Sequence, residues 1–398
     1  GHVCPSSEEV ACAGCRSLGR GRFVIFYTPV CEGQPVGVSV LRHAVTSLPV
    51  RVLALSLLVV SGPFGPAGAA QLGNLYEATA PLDPTKRRAR DMAFVAAMEQ
   101  VLVRVTGRRD IASDPGAAEL LSEPGAFVQQ FRETLDGELW VGFDGAAINQ
   151  VLSAARLPIW GTERPAVLTL VAMDLGGGER YVLAAEDEVP DPRRNALRES
   201  IVEQAERRGL PLVLPLMDAQ DRSVLSFTDL WGGYEEALTD AARRYGVDAV
   251  LLGRYRYDAP DRMRWTLFEN DLAERWVGQF EDGIEGASDR LALRYAVATD
   301  SALEGEVGLA VAGVGDFDDF GRVLRFLQGL TAVERVSVRS LDDDEVVFGL
   351  ELRGNLDNVD QAIRLGGVLE PDVLRPGGLP AADGGDQRPV ALAYRLAP

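Results

Sequence analysis

A run of eight residues, AVLTLVAM at 166–173, constrains the fold more than any other feature, because threonine is its only polar side chain. A strand without apolar–polar alternation has to be buried on both faces, which is typical of the central strand of a sheet covered by helices. After it come segments of helical spacing at 196–208, 234–245 and 291–303, and strands at 210–217, 249–257 and 262–270. This order predicts an α/β fold built on mixed sheets.

The rest of the chain divides into further units of the same class. A small N-terminal α/β domain is predicted at 71–163, followed by the central mixed α/β sheet domain at 164–304. In the first domain, helices are expected from Asp83 to Thr106, at 115–121 and at 124–131. Residues 305–370 have the order β-α-β-β-α, which resembles a ferredoxin-like module. The remaining 371–398 is rich in Pro, Gly and Asp. We expect a flexible tail there, with room for a last strand at 390–396.

Residues 41–70 have the three parts of a secretory signal peptide. A basic start, a short apolar centre and a run of small residues follow one another, at Arg42 and Arg51, at 52–60 and at 67–70. The apolar centre is too short to span a bilayer, which needs about 20 residues; a buried helix is the alternative interpretation. We therefore expect cleavage near Ala69 or Ala70 and a periplasmic mature chain without a transmembrane helix.

The cysteines and histidines are confined to the start of the chain. They are Cys4, Cys12, Cys15, Cys31, His2 and His43. Because a signal peptide stands at the true N-terminus, 1–40 is interpreted as upstream sequence translated by artefact. The lone Cys12-x-x-Cys15 within it is only a weak indication of a zinc or redox site.

A mature chain without histidine or cysteine excludes several mechanisms. It has no Ser-His-Asp triad, no thiol nucleophile and no His or Cys ligand for zinc. It also lacks a phosphate-binding P-loop and a dinucleotide-binding glycine motif. We expect no catalytic residue, no cofactor and no metal site, which leaves carboxylate chemistry or binding without catalysis.

The charge balance narrows the choice of partner. The chain has 59 Asp and Glu against 40 Lys and Arg, a formal net charge of −19. Affinity for nucleic acid depends on clustered basic residues, so a nucleic-acid partner is not expected.

One segment of the central domain is basic against this acidic background. Four arginines alternate with apolar and aromatic residues along two neighbouring strands: Arg254, Arg256, Arg262 and Arg264, interleaved with Tyr255, Tyr257, Met263 and Trp265. The period of two places the arginines on one face. They are either a solvated face over an aromatic core or a surface that binds an anionic glycan or an acidic partner. Trp160 and Trp231, each next to a glycine, are structural plugs or part of such a binding surface.

Two other charged clusters have competing interpretations. Asp316, Asp318 and Asp319 are either calcium ligands or the capped start of a helix, and Phe317 interrupts the calcium pattern. The basic run 86–90 (KRRAR) is either the exposed face of a helix or a contact with anionic lipid or an envelope protein.

Two resemblances can be stated from motifs. The pieces VRVTG (103–107) and LPIWG (157–161) are the most specific of a series that also includes Tyr76-Glu77-Ala78, Arg109-Asp110, Phe143-Asp144 and Arg164-Pro165. Over most of 72–300 the chain resembles an uncharacterised family of exported gammaproteobacterial proteins, family 2066 of the domains of unknown function. That resemblance implies no activity, cofactor or catalytic residue.

The second resemblance is more distant and covers 166–282. It depends on the strand AVLTLVAMD and on GVDAVLLG at 246–253, which precedes two further strands. These pieces resemble the α/β domain of the N-terminal part of the translocation protein TolB, the curli secretion lipoprotein and the lipoprotein activators of penicillin-binding proteins. The resemblance implies that the chain acts by binding other envelope proteins, although it lacks a lipidated cysteine.

Three functions remain open. The first is a non-catalytic accessory factor for envelope assembly or cell-wall synthesis, with an envelope protein as its partner. The second is a glycosidase that uses two carboxylates about 5–9.5 Å apart. The third is a module that binds an anionic glycan through the four arginines.

Overall fold

The fold is described by a computed structural model for residues 75–269, 272–297, 306–342, 344–372 and 390–397. The expected signal peptide, the segment 1–40 with its cysteine pair, and most of the expected flexible tail lie outside these residues. The described residues form three sheets and ten α-helices, which confirms a mixed α/β fold.

The first sheet is antiparallel, with the order β1-β3-β2. Its strands and the accompanying helices are β1 (Glu77–Pro81), α1 (Ala89–Thr106), α2 (Ala118–Ser122), β2 (Val128–Glu133), β3 (Glu138–Phe143) and α3 (Gly145–Ala154). The apolar positions of α1 recur at helical spacing, so Met98, Val101 and Leu102 are fully buried against the sheet. Gly107 ends α1 in a left-handed conformation (φ 70°).

Two local expectations in this region are wrong. A helix predicted at 124–131 is a single tight turn, Pro124–Phe127, followed by β2, because pairing with β3 outweighs the local helical signal. Helix α1 begins at Ala89 and not near Asp83, because the Asp83 side chain accepts the N–H of Thr85 in a local turn.

The second sheet is mixed and has the strand order β5-β4-β7-β8-β9. Its strands are β4 (Val167–Gly176), β5 (Glu179–Val182), β6 (Leu212–Val213), β7 (Ala249–Arg256), β8 (Met263–Glu269) and β9 (Leu272–Gly278). Its helices are α4 (Pro192–Arg208), α5 (Ala219–Val224), α6 (Phe227–Gly232), α7 (Glu235–Tyr245) and α8 (Asp282–Tyr295). The apolar run at 166–173 becomes β4, which is parallel to β6 and β7.

The two faces of the second sheet are covered to different extents. On one face, α4 and α8 contribute Ile201 and Leu291 to a core that includes Trp265 of β8. On the other face, α6 and α7 contribute Leu230 and Leu238 to a core over β4 and β7. On this second face, the outer strands β8 and β9 are left partly open among the described residues.

Two predictions in the second sheet require correction. The strand expected at 210–217 is reduced to Leu212–Val213, because Pro211 and Pro215 have no N–H to donate to a ladder. The helix expected at 291–303 is α8, which starts at Asp282 and ends at Tyr295.

The third sheet has the order β11-β12-β10-β14-β13. Its elements are β10 (Glu306–Ala312), α9 (Phe317–Gly329), β11 (Val333–Leu341), β12 (Glu345–Leu352), α10 (Leu356–Gly366), β13 (Leu369–Pro371) and β14 (Val390–Leu396). The predicted β-α-β-β-α order is present, with helices on one face and Phe348 in their core. One feature departs from a simple ferredoxin-like sheet: β14 lies between β10 and β13, parallel to β10 and antiparallel to β13.

Candidate functional site

Three arginines lie together on the open side of the second sheet. Arg254 of β7 is directly opposite Arg264 of β8, and Arg275 of β9 is opposite Thr266 in the next row. Because side chains alternate along each strand, all three point away from the core formed with α8. We call Arg254, Arg264 and Arg275 the arginine face.

The arginine face is positively charged and mostly open. Arg254 is half-buried, and its Nη1 donates to the carbonyl of Trp231 at 3.1 Å. Burial and the nearby cations of Arg264 and Arg275 lower the pKa of Arg254. Arg264 and Arg275 are exposed, and in the described part of the chain no carboxylate forms an ion pair with either. The face can therefore accept an anion without first breaking an internal pair.

The other two arginines predicted for this face are placed differently. Arg256 ends β7 and forms an ion pair with Asp258 at 2.6 Å, so its charge is already compensated. Arg262 precedes β8 and donates its backbone N–H to the carbonyl of Ala259 at 3.1 Å. The prediction that Arg262 belongs to the strand is wrong, because the chain turns between the end of β7 and Met263.

Sequence reasoning missed Arg275. The alternation of Ala273, Arg275 and Val277 along β9 was a usable signal, since it matches the alternation that identified Arg264. The signal was weak because only the β8–β9 register brings Arg275 beside Thr266.

The two tryptophans singled out in the sequence lie in different environments. Trp231 is half-buried at the edge of the arginine face and stacks on Phe227, with ring centroids 5.2 Å apart. The guanidinium of Arg180 lies 5.4 Å from the Phe227 ring. Trp160 is fully buried, so it contributes to the core and not to a surface.

A groove continues from the arginine face along the same side of the sheet. Its floor is one row of side chains, Val250, Phe268 and Ala273, and one wall is helix α7. Its volume is about 370 Å³. In the strand register this row lies next to the row that holds Thr266 and Arg275, so groove and arginine face form one continuous surface.

Three carboxylate residues also line this groove: Glu235, Asp248 and Glu269. Glu269 is buried, forms an ion pair with Arg294 and accepts a hydrogen bond from the Tyr295 hydroxyl. The Asp248 carboxylate accepts the backbone N–H of Ala166 at 3.0 Å and so fixes the start of β4. Two of the three carboxylates therefore hold the framework together.

A second arginine cluster is buried where the first two sheets meet. Arg164 is 6% exposed, and its guanidinium lies 4.0 Å from the centre of the Trp160 ring. Its nitrogens donate five hydrogen bonds, all to backbone carbonyls, of Arg104, Trp160, Gly161, Arg208 and Gly209. The carbonyls of Arg104 and Arg208 belong to the last turns of α1 and α4, where helices carry unpaired acceptors and partial negative charge.

Arg208 extends this cluster to α8. It is 2% exposed, and its two terminal nitrogens lie 2.7 Å from Glu285 and 2.7 Å from Asp289. Nη2 also donates to the carbonyl of Gly107 at 2.7 Å. Arg109 pairs with the same Asp289 at 2.6 Å. We call Arg164, Arg208 and their partners the arginine junction.

The most specific sequence motifs converge on the arginine junction. The backbone N–H of Trp160, in LPIWG, donates to the carbonyl of Val105, in VRVTG, at 2.7 Å. Ile159 pairs with Val297, which follows α8. These motifs therefore join the first sheet to the second, and their role in this fold is architectural.

The remaining charged clusters take local structural roles. Asp316 caps α9 by accepting the N–H of Asp319 at 2.8 Å, as the capping interpretation predicts. Lys86 lies 3.9 Å from Asp83, and Arg90 lies over the Phe131 ring at 5.1 Å. Among the described residues, no cluster of His, Cys, Asp or Glu could hold a metal ion. No described helix combines the length and apolar character needed to cross a membrane.

Comparison with protein families gives one match, over residues 69–161, to a domain of unknown function (DUF8605). The matched range contains both VRVTG and LPIWG. The matching family is therefore not family 2066, which these motifs were expected to indicate. No curated protein matches.

Comparison with solved structures finds prolyl-tRNA synthetase from Cryptosporidium parvum in two complexes. The complex with halofuginone and AMPPNP has 11% identity and a TM-score of 0.19, and the complex with L-proline and AMP has 10% identity and a TM-score of 0.18. Each covers 55% of this chain, and the chain spans 50% of the length of those structures. TM-scores this low indicate no shared fold.

Proposed function

We propose that this protein is an exported, non-catalytic accessory protein of the cell envelope that binds an acidic protein partner on its arginine face. The observation that carries the proposal is the arginine face itself. It gathers three cations, two of them exposed and without an ion pair in the described chain, on a protein of net charge −19.

Like charges held this close are unfavourable in the free protein. Partial burial and, after it, the repulsion from Arg264 and Arg275 lower the pKa of Arg254. An acidic partner removes the repulsion, and a local positive field also steers an anionic surface toward it. Binding is therefore favoured at this face in spite of the overall negative charge.

The envelope location is supported by the sequence pattern at 41–70. The distant resemblance of 166–282 to TolB and to the lipoprotein activators points the same way, because those relatives act by binding envelope proteins. We therefore place the protein among binding factors of the envelope.

Cross-linking in living cells tests this proposal. A photo-cross-linking amino acid replaces Val277, which is 55% exposed and lies opposite Arg264 on the open face. We expect it to capture one envelope protein, and capture should be lost in the Arg264→Glu/Arg275→Glu variant. The same probe at Leu293, 87% exposed on α8, is the matched control. Equal capture at both positions, or none at Val277, would reject the proposal.

Two alternatives have specific observations behind them. Anionic wall fragments would also suit three clustered arginines, and direct titration of such fragments separates this reading from a protein partner. Carboxylate-dependent hydrolysis is favoured only by the three carboxylates that line the groove. Hydrolysis of wall polymer by the wild type, lost in Glu235→Gln, would support that enzyme reading.

A further inference from the structure

We propose that the arginine face and the adjoining groove together bind one amphipathic helix of the partner, with its apolar side on the groove floor and acidic side chains over the arginines. This inference rests on the proposed function and specifies the part of the partner that is recognised.

Helices cover the second sheet incompletely. Helices α4 and α8 pack on one face, and α8 reaches β8 through Trp265. On the other face, α6 and α7 pack on β4 and β7. Phe268, near the end of β8, packs against this helical core. Over β9 and the rest of β8 no described helix takes the corresponding place, and Val277 remains 55% exposed there. In a layered α/β fold, an open sheet face beside a packed helix is the position for another helix.

The open strip also has the width of a helix. Each strand occupies about 4.8 Å of a sheet, so β8 and β9 together form a strip about 10 Å wide. A helix with its side chains has a diameter of about 10–12 Å. Along β9, the step from Ala273 to Val277 is about 13 Å, which corresponds to roughly two and a half turns of helix. A short helical segment therefore matches the open surface in both directions.

The two ends of the surface differ in chemistry. The groove end offers Phe268 and Ala273 on its floor, and the carboxylates of Glu235 and Asp248 also line it. The other end offers the guanidinium groups of Arg264 and Arg275. A helix that spans both ends needs apolar residues at i, i+3, i+4 and i+7 and carboxylates at the end that meets the arginines. A uniformly anionic polymer would bring its charges against the carboxylates of Glu235 and Asp248, which also line the groove.

Cross-linking at both ends tests the inference. The photo-cross-linking residue is placed at Val277, beside the arginines, and separately at Thr239, an exposed residue of the groove wall on α7. The cross-linked peptides are then mapped by mass spectrometry. We expect the two positions to capture one contiguous partner segment with helical apolar spacing and acidic residues.

A blocking variant gives a second readout without removing a contact. Ala273→Trp fills the groove floor, and we expect it to reduce capture at Val277 about tenfold. Ala391→Trp makes the same change at an exposed position of β14 in the third sheet and should leave capture unchanged.

The outcomes separate this inference from the proposed function. If the probe at Val277 captures nothing in the otherwise wild-type protein, both the proposed function and the helix proposal are rejected. Capture at Val277 that is insensitive to Ala273→Trp, or that maps to a segment without helical apolar spacing, overturns the helix proposal and leaves the acidic partner. Wall glycan bound at Val277, with no partner peptide, also overturns it.

Discussion

The arginine junction and the arginine face use the same residue type in opposite ways. At the junction, Arg164 directs all five of its hydrogen bonds to backbone carbonyls inside the protein. At the face, Arg264 and Arg275 keep their donors in solvent. The position of the guanidinium relative to helix ends, and not the residue type, separates an arginine that holds the fold from one that is available to a partner.

The junction also explains how a cation without a close carboxylate is tolerated in a buried site. Burial lowers the pKa of Arg164 to about 9, which leaves the side chain ionised at neutral pH. The carbonyl ends of α1 and α4 supply the negative charge that a carboxylate would otherwise provide. The arginine face has no such internal compensation, so an external anion completes it.

The largest effect is expected from Arg164→Met. It leaves carbonyls of two helix ends buried without a donor, so the free energy of unfolding should fall by about 3–5 kcal/mol. Urea unfolding followed by circular dichroism measures this loss. Arg264→Met is the comparison and should change stability by less than about 0.5 kcal/mol. Similar losses in both variants would remove the distinction between junction and face.

A smaller loss is expected from Gly107→Ala. Gly107 has a φ of 70°, and a Cβ there would collide with Ala292 of α8. We expect a cost of about 2–3 kcal/mol, part from backbone strain and part from the collision. Gly137→Ala has a similar φ of 78° with no atom within 4 Å of the added Cβ, so it isolates the strain at about 1 kcal/mol. Equal losses in the two variants would mean that the junction tolerates the collision.

Charge reversal at the face should separate binding from stability. Arg264→Glu/Arg275→Glu removes two cations that repel Arg254, so stability should stay within about 0.5 kcal/mol of the wild type. The variant should bind the captured partner much more weakly than the wild type does. Added salt should weaken binding by the wild type, because it screens the charges. Arg193→Glu/Arg325→Glu makes the same change of net charge at exposed positions elsewhere. If this control loses binding as well, net charge and not the face controls association.

The smallest effect is expected from pH. The pKa of Arg164 is about 9 in the folded chain and ordinarily 12.5, so the unfolded chain binds this proton more tightly. The contribution of Arg164 to the free energy of unfolding therefore changes only above about pH 9, where rising pH favours the folded state. Between about pH 6 and pH 8, the stability difference between wild type and Arg164→Met should be constant. If urea unfolding shows that this stability difference changes with pH in that window, Arg164 titrates at a lower pH than expected here.

Much of the fold follows from local patterns in the sequence. The uninterrupted apolar run predicts β4, and helical spacing predicts α7 and α9. The carboxylate at Asp316 predicts a helix start, and Asp316 caps α9. Alternation alone places Arg254 and Arg264 on one side of their strands, and the cross-strand pairing agrees. Signals of this kind are contained within a few neighbouring residues.

Features that depend on register or on tertiary contact were not predictable. Arg275 joins the arginine face only because β9 pairs with β8 in one particular register. Arg164 was noted in a motif, yet its role requires the ends of α1 and α4 to meet at its side chain. The place of β14 beside β10 requires contact between segments far apart in the chain. No local pattern encodes such distances.

Because β14 is the last strand of the chain, it is the last to join the third sheet. Whether the chain emerges from the ribosome or from an export channel, β10, β11 and β12 emerge before 390–396, and N-terminal parts of a chain generally fold first. Until β14 arrives, the edge of β10 that it will cover has no strand to pair with. An unpaired strand edge is a template for pairing with other chains. The newly made protein therefore passes through an interval in which it is most prone to aggregate, and a chaperone acting in that interval would shield β10.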